Sequence, residues 1–363
     1  LVLRLKLLSG LNIAEKRLPQ DGRFNIKVKN RNIDVRLSTM PLQFGEAVVM
    51  RLLDQSNQLT DLSKVGMPPL ILSEFRRVIH KPHGLVLVTG PTGSGKTTTL
   101  YGALAHLNTP ERKIITAEDP VEYRLPRINQ VQIKGDIGLD FASVLRVALR
   151  QDPDVLLVGE IRDAESAEIA LRASMTGHLV FSTLHTNDAM SAIHRLVDMG
   201  AESYLVASAL KAVLAQRLIR KNCTHCLSDY EPEPAELDWL FEKSRTGKLK
   251  ERRFKKGAGC SRCNETGFSG RIGIFELLLI DGPMSAAIRD QDHTRFTMLA
   301  HKDGGYRPLY QSALDYALQG LTTLEEVGRV AEQMEEVEYE SSQIHAAPQA
   351  ASKVSPAVSE RAW

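Results

Sequence analysis

Apolar residues follow two different periods along this chain. Up to about residue 55 the period is two. Phe24-Asn25-Ile26-Lys27-Val28 and Ile33-Asp34-Val35-Arg36-Leu37 alternate as half-buried strands do. Asp21-Gly22 and Lys29-Asn30-Arg31-Asn32 read as turns between them. The pattern predicts a small α+β unit over residues 1–55, a meander packed against a helix. Gly66, Pro68 and Pro69 break the pattern within a linker over 56–69. Residues 70–80 have helical spacing, and Lys81-Pro82-His83-Gly84 turns the chain again. From 85 to about 220, short unbroken apolar runs at 85–88, 114–117, 155–158 and 179–182 alternate with helical stretches. Unbroken runs suit strands buried on both faces of a parallel, helix-covered sheet. Residues 272–280 form one more strand-like run, and helical spacing continues to about Ala331. The helix from Tyr310 ends at Gly320, and Thr322 or Thr323 caps the next. The stretch 335–363, rich in Ala, Ser, Pro and Glu and without a period, reads as disordered, with Trp363 a lone aromatic on it.

The first unbroken run leads into chemistry. Gly90-Pro91-Thr92-Gly93-Ser94-Gly95-Lys96-Thr97 satisfies G-x4-G-K-[ST], with a strand before it and a helix after it. A polyphosphate needs several backbone N–H groups and the positive end of a helix at close range. Gly90, Gly93 and Gly95 allow that approach, Lys96 can reach the β and γ phosphates, and the Thr97 hydroxyl can ligate a bridging Mg2+. ATP and magnesium are the expected ligands, held by residues 90–97 and Thr98.

Ligands of open α/β sheets bind at the carboxyl ends of the strands, so the residues after each apolar run should converge on the phosphates. The first set is Thr116-Ala117-Glu118-Asp119-Pro120-Val121-Glu122-Tyr123, where acids can order Mg2+ or a water. In the second, Val158-Gly159-Glu160-Ile161-Arg162, Gly159 stands where an aspartate is more usual, which leaves the acidic work to Glu160. Its expected role is to orient or deprotonate the attacking water, or to hold Mg2+ through its hydration shell. The third, Ser182-Thr183-Leu184-His185-Thr186-Asn187-Asp188, offers His185 as a γ-phosphate sensor; His178 is evenly balanced between sensing and packing. Arg146 and Arg150, four apart, share one helix face and offer guanidinium forks to a phosphate or a carboxylate.

Composition narrows the class. With 46 Lys plus Arg against 44 Asp plus Glu in 363 residues, nothing argues for nucleic acid or an anionic membrane as the main ligand. No apolar stretch is long enough for a membrane span, and the chain reads as soluble and cytosolic. It starts at Leu1 in what reads as the middle of a helix, so a preceding region is expected. The four cysteines form two C-x-x-C pairs, Cys223 with Cys226 and Cys260 with Cys263. Two such pairs complete a tetrahedral zinc site, with the residues between them looped out as an insertion and His225 a bystander.

As a set, the phosphate loop, Glu118-Asp119-Pro120-Val121-Glu122-Tyr123, Gly159-Glu160-Ile161-Arg162-Asp163, Ser182-Thr183-Leu184-His185-Thr186-Asn187 and the paired cysteines resemble the assembly ATPases of bacterial type II secretion and type IV pilus extension. The likeness runs from about residue 10 to 330 and includes Leu18-Pro19-Gln20-Asp21-Gly22-Arg23. It implies a RecA-like P-loop core over 70–220, preceded by a small PAS-like α+β domain and followed by a zinc-binding insertion over 221–270 and a helical region over 271–334. It also implies a homo-hexamer with nucleotide between the small domain and the core. Glu118, Glu160, His185 and Arg162 become the catalytic group, with the choice of base between the two acids open. Arg36, Arg51, Arg146, Arg150 and Arg271 fall where the family has arginines for nucleotide or intersubunit contacts. The implied partners are an inner-membrane platform protein and, through the preceding region, a cytoplasmic docking protein. The implied location is cytoplasmic and peripheral to the inner membrane. A retraction or conjugation-type traffic ATPase, or a nucleotide-gated scaffold without turnover, are the alternatives; the four-cysteine insertion argues for assembly.

Overall fold

The computed structural model describes residues 1–54, 61–233, 236, 253–302 and 306–331. The expected disordered stretch 335–363, residues 56–60 of the linker and residues 234–235 and 237–252 of the cysteine insertion lie outside the described residues.

A first helix, α1 (Val2–Leu8), precedes three strands, β1 (Gln20–Val28), β2 (Arg31–Leu42) and β3 (Gly45–Asp54). They form an antiparallel sheet of order β1-β2-β3, as the period of two requires. The hairpin turn is Lys29-Asn30, both residues left-handed at φ 46° and 65°, which matches the twist of the flanking strands. Asp21-Gly22 is not a turn. It lies inside β1, opposite Ser38 and Leu37. A Cβ on Gly22 would stand 2.7 Å from Ser9 Cβ and 2.9 Å from the Leu11 side chain, so the glycine serves close packing.

The main body is a seven-stranded mixed sheet covered on both faces. In chain order come α2 (Pro69–Ile79), β4 (Gly84–Thr89), α3 (Lys96–Leu107), β5 (Ile114–Glu118), β6 (Asn129–Gln132), α4 (Phe141–Ala148), β7 (Val155–Val158), α5 (Ala164–Met175), β8 (Leu179–Leu184), α6 (Ser191–Asp198), α7 (Ser203–Ala209) and β9 (Leu210–Asn222). The hairpin β10 (Leu227–Tyr230) with β11 (Phe254–Gly257) follows, then β12 (Phe268–Leu279), α8 (Gly282–Arg289), α9 (His293–His301) and α10 (Leu309–Leu318). Residues 324–331 are helical.

The sheet order is β12-β9-β4-β8-β7-β5-β6, parallel except for β12, which runs antiparallel to β9. Every residue of β4, β5, β7 and β8 is buried, which is why their sequences are unbroken apolar runs. Phe75, Tyr101 and Phe181 fill one side, and Phe141, Leu171 and Leu205 the other. β9 is a thirteen-residue strand that its pattern does not announce, because Gln216, Arg217 and Arg220 interrupt the apolar residues. Those side chains are held by polar partners: Gln216 by Thr99 of α3, Arg217 by the Asn187 carbonyl and Arg220 by Glu326. The run at 272–280 likewise proves to be a strand of the main sheet, entering it from beyond the cysteine hairpin. Gly320, at φ 73°, ends α10 from just past its last turn. Thr323 caps the next helix by accepting the Glu326 N–H at 3.3 Å, while Thr322 donates to the Arg220 carbonyl at 2.8 Å. Among the described residues no helix is long and apolar enough to cross a membrane.

Candidate functional site

Order in the sheet brings the carboxyl ends of β4, β5, β7 and β8 to one side, and a cleft of about 920 Å³ opens there. The loop from β4 to α3 forms its floor. Gly90, Gly93 and Gly95 have φ of 142°, 81° and 93°, a region relaxed only for glycine. A Cβ on Gly90 would also lie 2.3 Å from the Gln216 carbonyl. Gly95 is the N-cap of α3, with no side chain capping the helix, so its first amides and the positive end of its dipole face the cleft. Lys96 curls over the loop, donating to the carbonyls of Gly90 at 2.6 Å and Pro91 at 3.2 Å. Burial holds its pKa below the usual lysine range, and the charge of Glu160 pulls the other way.

Residues 92–98, Glu118, Glu160 and His185 all line the cleft. Two arginines far away in sequence join them, Arg51 from β3 and Arg271 from β12. Gly90 and Pro91 lie beneath, as the carbonyl partners of Lys96.

The two acids differ in their surroundings. Glu118 ends β5 and is only 4% exposed. Its carboxylate accepts from the Tyr101 hydroxyl, from Thr116 at 2.6 Å and from Gln130 at 3.1 Å. Burial and the Glu118 charge push the Tyr101 hydroxyl well above its usual range, and burial pushes the neighbouring Tyr123 up to about 12. Glu160 follows β7, accepts from Arg162 and faces His185 Nε2 at 3.5 Å. Arg162 also reaches Asp119 at 3.5 Å. Burial, then the Lys96 charge, hold His185 below the ordinary histidine pKa, so its ring is neutral at pH 7. Gly159 explains its own departure from the usual acid. Its N–H donates to the Ala117 carbonyl at 2.7 Å, and a Cβ would stand 3.1 Å from that oxygen and 3.3 Å from Glu118 Cα.

The remaining candidates lie outside this lining. Arg36, opposite Arg51 in the β2–β3 register, reaches the Glu122 carboxylate at 2.5 Å. Arg146 pairs with Glu165 on the surface. Arg150 lies beyond the end of α4 and folds back on the Arg146 carbonyl at 2.8 Å, so the two do not share one helix face. His178 stands just before β8, at the opposite end of that strand from His185, with Nδ1 3.0 Å from the Ala173 carbonyl. One residue that periodicity passed over is Gln216. Buried on β9, it donates to the Ser94 carbonyl at 2.8 Å and accepts from Thr99 at 2.7 Å, which secures the phosphate loop from below. A lone amide inside an apolar run was the only sequence signal for it.

The four cysteines assemble away from the cleft. Their sulfurs lie within 4.8 Å of one another, with Cys223 to Cys260 and Cys226 to Cys263 at 3.9 Å and Cys260 to Cys263 at 3.7 Å. A tetrahedron with Zn–S bonds of about 2.3 Å has edges of about 3.8 Å, so the cluster is compatible with zinc. Backbone N–H groups of Cys260 and Gly267 point at Cys263 Sγ from 3.2 and 3.3 Å, as donors that favour a thiolate. His225 turns instead to Arg262, 2.9 Å away.

The sequence profile of a family described as type II/IV secretion system protein matches residues 1–329. Type II secretion system protein HxcR of Pseudomonas aeruginosa is 48% identical over 330 residues, 91% of this chain and 66% of that protein. Type IV pilus assembly ATPase PilB of Thermus thermophilus is 47% identical over 324 residues, 89% of this chain and 36% of that one. The solved structure of the pilus retraction motor PilT with bound ADP superposes with a TM-score of 0.65 at 30% identity, covering 93% of this chain and 82% of PilT. This chain therefore spans just under two thirds of HxcR and about a third of PilB. By the profile match and by these identities, the chain belongs to the type II/IV secretion system protein family.

Proposed function

We propose that this chain is a motor that hydrolyses ATP with Mg2+ to drive assembly of a pilus or pseudopilus. The observation that carries the reading is the convergence of Glu160, His185, Arg51 and Arg271, from four separate segments of the chain, on Lys96 and the open amides of α3. Those amides and Lys96 take the phosphates, Lys96 leaving the Gly90 and Pro91 carbonyls to do so. Thr97 would hold Mg2+, which neutralises charge on the β and γ oxygens when bound. Glu160 orients a water toward the γ phosphorus and accepts its proton, and the P–O bond to ADP breaks as the new one forms. The neutral imidazole of His185 donates a hydrogen bond to the terminal phosphate. Arg162 steadies Glu160 until nucleotide arrives. Glu118, its oxygens already filled by three donors, fixes the shape of the site.

In this reading residues 1–55 form the small PAS-like domain, 70–220 the RecA-like core, 221–270 the zinc insertion and 271–334 a C-terminal region. Arg51 is a reach from the small domain into the core's cleft, so loss of the γ phosphate loosens one from the other. Arg36 and Glu122 make a second tie across the same junction. A homo-hexamer would couple such sites around a ring, with Arg146 and Arg150, exposed and away from the cleft, free to meet a neighbouring subunit. The platform protein at the inner membrane is the expected load. Assembly is favoured over retraction by the four-cysteine cluster, which holds structural zinc in this account.

Phosphate release in Mg2+ by the wild type and by Glu160→Gln tests the reading. Turnover in the first and its loss in the second is expected, and a wild type that binds ATP without turnover leaves only a nucleotide-gated scaffold. Freshly purified protein should contain about one zinc per chain, lost together in Cys223→Ser/Cys260→Ser. Metal analysis near zero in a folded wild type removes that claim.

A further inference from the structure

A second polar cluster lies behind the cleft, where no solvent reaches. Glu276, in the middle of β12, is completely buried and pairs in register with Ala215 of β9. Its Oε1 accepts from the Ala189 backbone N–H at 2.8 Å and from the Tyr306 hydroxyl at 2.6 Å, and its Oε2 accepts from the Leu309 N–H at 2.9 Å. Ala189 belongs to the loop that carries His185 out of β8. Leu309 is the first residue of α10. One residue earlier on β12, the Phe275 carbonyl accepts from Ser312 of α10 at 2.9 Å. From β9, Arg217 reaches the same His185-bearing loop, donating to the Asn187 carbonyl at 3.3 Å.

A buried carboxylate is costly unless its oxygens are filled, so this one would not persist as mere core filling. Here the three donors come from two places in the chain, the loop after β8 and the start of α10 with the tyrosine just ahead of it. We propose that Glu276 is the positioning residue that links the His185 loop to α10, so that contacts at the γ-phosphate end of the cleft set the placement of the C-terminal helices. This rests on the nucleotide reading of the cleft and adds to it the route by which nucleotide state leaves the site.

The chemistry of the acceptor makes the link demanding. Two of the three donors are backbone N–H groups on opposite oxygens, and an ionised carboxylate accepts strongly from both, whereas protonation turns one oxygen into a hydroxyl, itself a donor and a weaker acceptor. An amide at this position turns an N–H toward one of them. The groups that face Glu276 are Asp188 of the loop, Arg217 of β9 and Tyr306 ahead of α10, whose ring is met edge-on by His301 of α9. Burial, then the Asp188 charge, push Glu276 up to about 7, while its three hydrogen bonds pull it back. Protonation near neutral pH therefore releases the link, as the amide does.

The test is hydrogen exchange at the amides of α10, with and without a non-hydrolysable ATP analogue and Mg2+, in the whole chain at pH 8 and pH 6. Wild type should show a change of several-fold on α10 when the analogue binds at pH 8, and a smaller one at pH 6. Glu276→Gln should bind the analogue within about twofold of wild type, lose the α10 response at both pH values, and lower kcat for ATP about tenfold with KM little changed. Tyr306→Phe, which removes one donor and keeps the ring, should reduce the response partly and decides the matter if the amide variant does not fold. An α10 response that survives both substitutions overturns the link while the nucleotide reading stands. A wild type that does not bind the analogue overturns both.

Discussion

The ends of β5 and β7 lie side by side in the sheet, each delivers a glutamate to the same cleft, and they have been built in opposite ways. At the β5 end Glu118 is locked by a tyrosine, a threonine and a glutamine. At the β7 end Glu160 is held by an exposed arginine, with a neutral histidine nearby and Lys96 close enough to feel its charge. Hydrogen bonds that fill a carboxylate hold a shape, and a carboxylate held by one exchangeable partner can change its partner during a reaction. The difference teaches that acids in equivalent positions can be held in unlike ways, which under the proposed function divides them into architecture and chemistry.

The division is open to measurement. Its largest expected effect is at Glu160, where Glu160→Gln should cut turnover by about 10²- to 10⁴-fold, the range of general-base loss. Its unfolding free energy should stay within about 0.5 kcal/mol of wild type, as for a surface change. Equal loss of stability and turnover would merge the two acids into one class. At the other end, Glu118→Gln should cost about 1–3 kcal/mol in denaturant unfolding, because an amide cannot accept from all three donors. A variant of unchanged stability but without turnover would move the base to Glu118. Tyr101→Phe, removing one donor to that carboxylate, should cost about 1 kcal/mol and leave turnover within a few-fold. A larger kinetic loss would make the locked acid chemical.

The smallest effect is one of pH. His185 has its folded pKa below the ordinary value, so the folded chain binds fewer protons there than the unfolded one. Its contribution to stability is present above the ordinary histidine pKa and negative below it, falling as pH drops. Beyond the decline that protonation of Glu276 brings near neutral pH, His185 should therefore add no loss of turnover through the usual imidazole range and lower it only at lower pH. A decline already centred at the ordinary histidine pKa in the wild type, absent in His185→Asn, would show a charged sensor instead.

Much of this was legible in residue order. The four central strands read as unbroken apolar runs because both of their faces are covered, and each leads at its carboxyl end into residues that line the cleft. The phosphate loop and the cysteine pairs were legible because their chemistry depends on neighbours in sequence. Local spacing also misled. Asp21-Gly22 looks like a turn, but glycine there admits the chain of Ser9 and Leu11 against a strand. Arg146 and Arg150 looked like one face of a helix that in fact ends at Ala148.

Residue order determined which groups could bind phosphate and metal, since loop, helix start and thiolate pair are properties of a few adjacent residues. Only the tertiary structure decided which of two glutamates is locked, that Arg51 and Arg271 line one cleft with Lys96 across some 45 and 175 residues, and that Gln216 and Glu276 brace loops from strands whose pattern hid them. A hydrogen-bond partner supplied by a distant element leaves no period in the chain. Burial, which sets the cost of an unfilled carboxylate, exists only once the layers have closed on it.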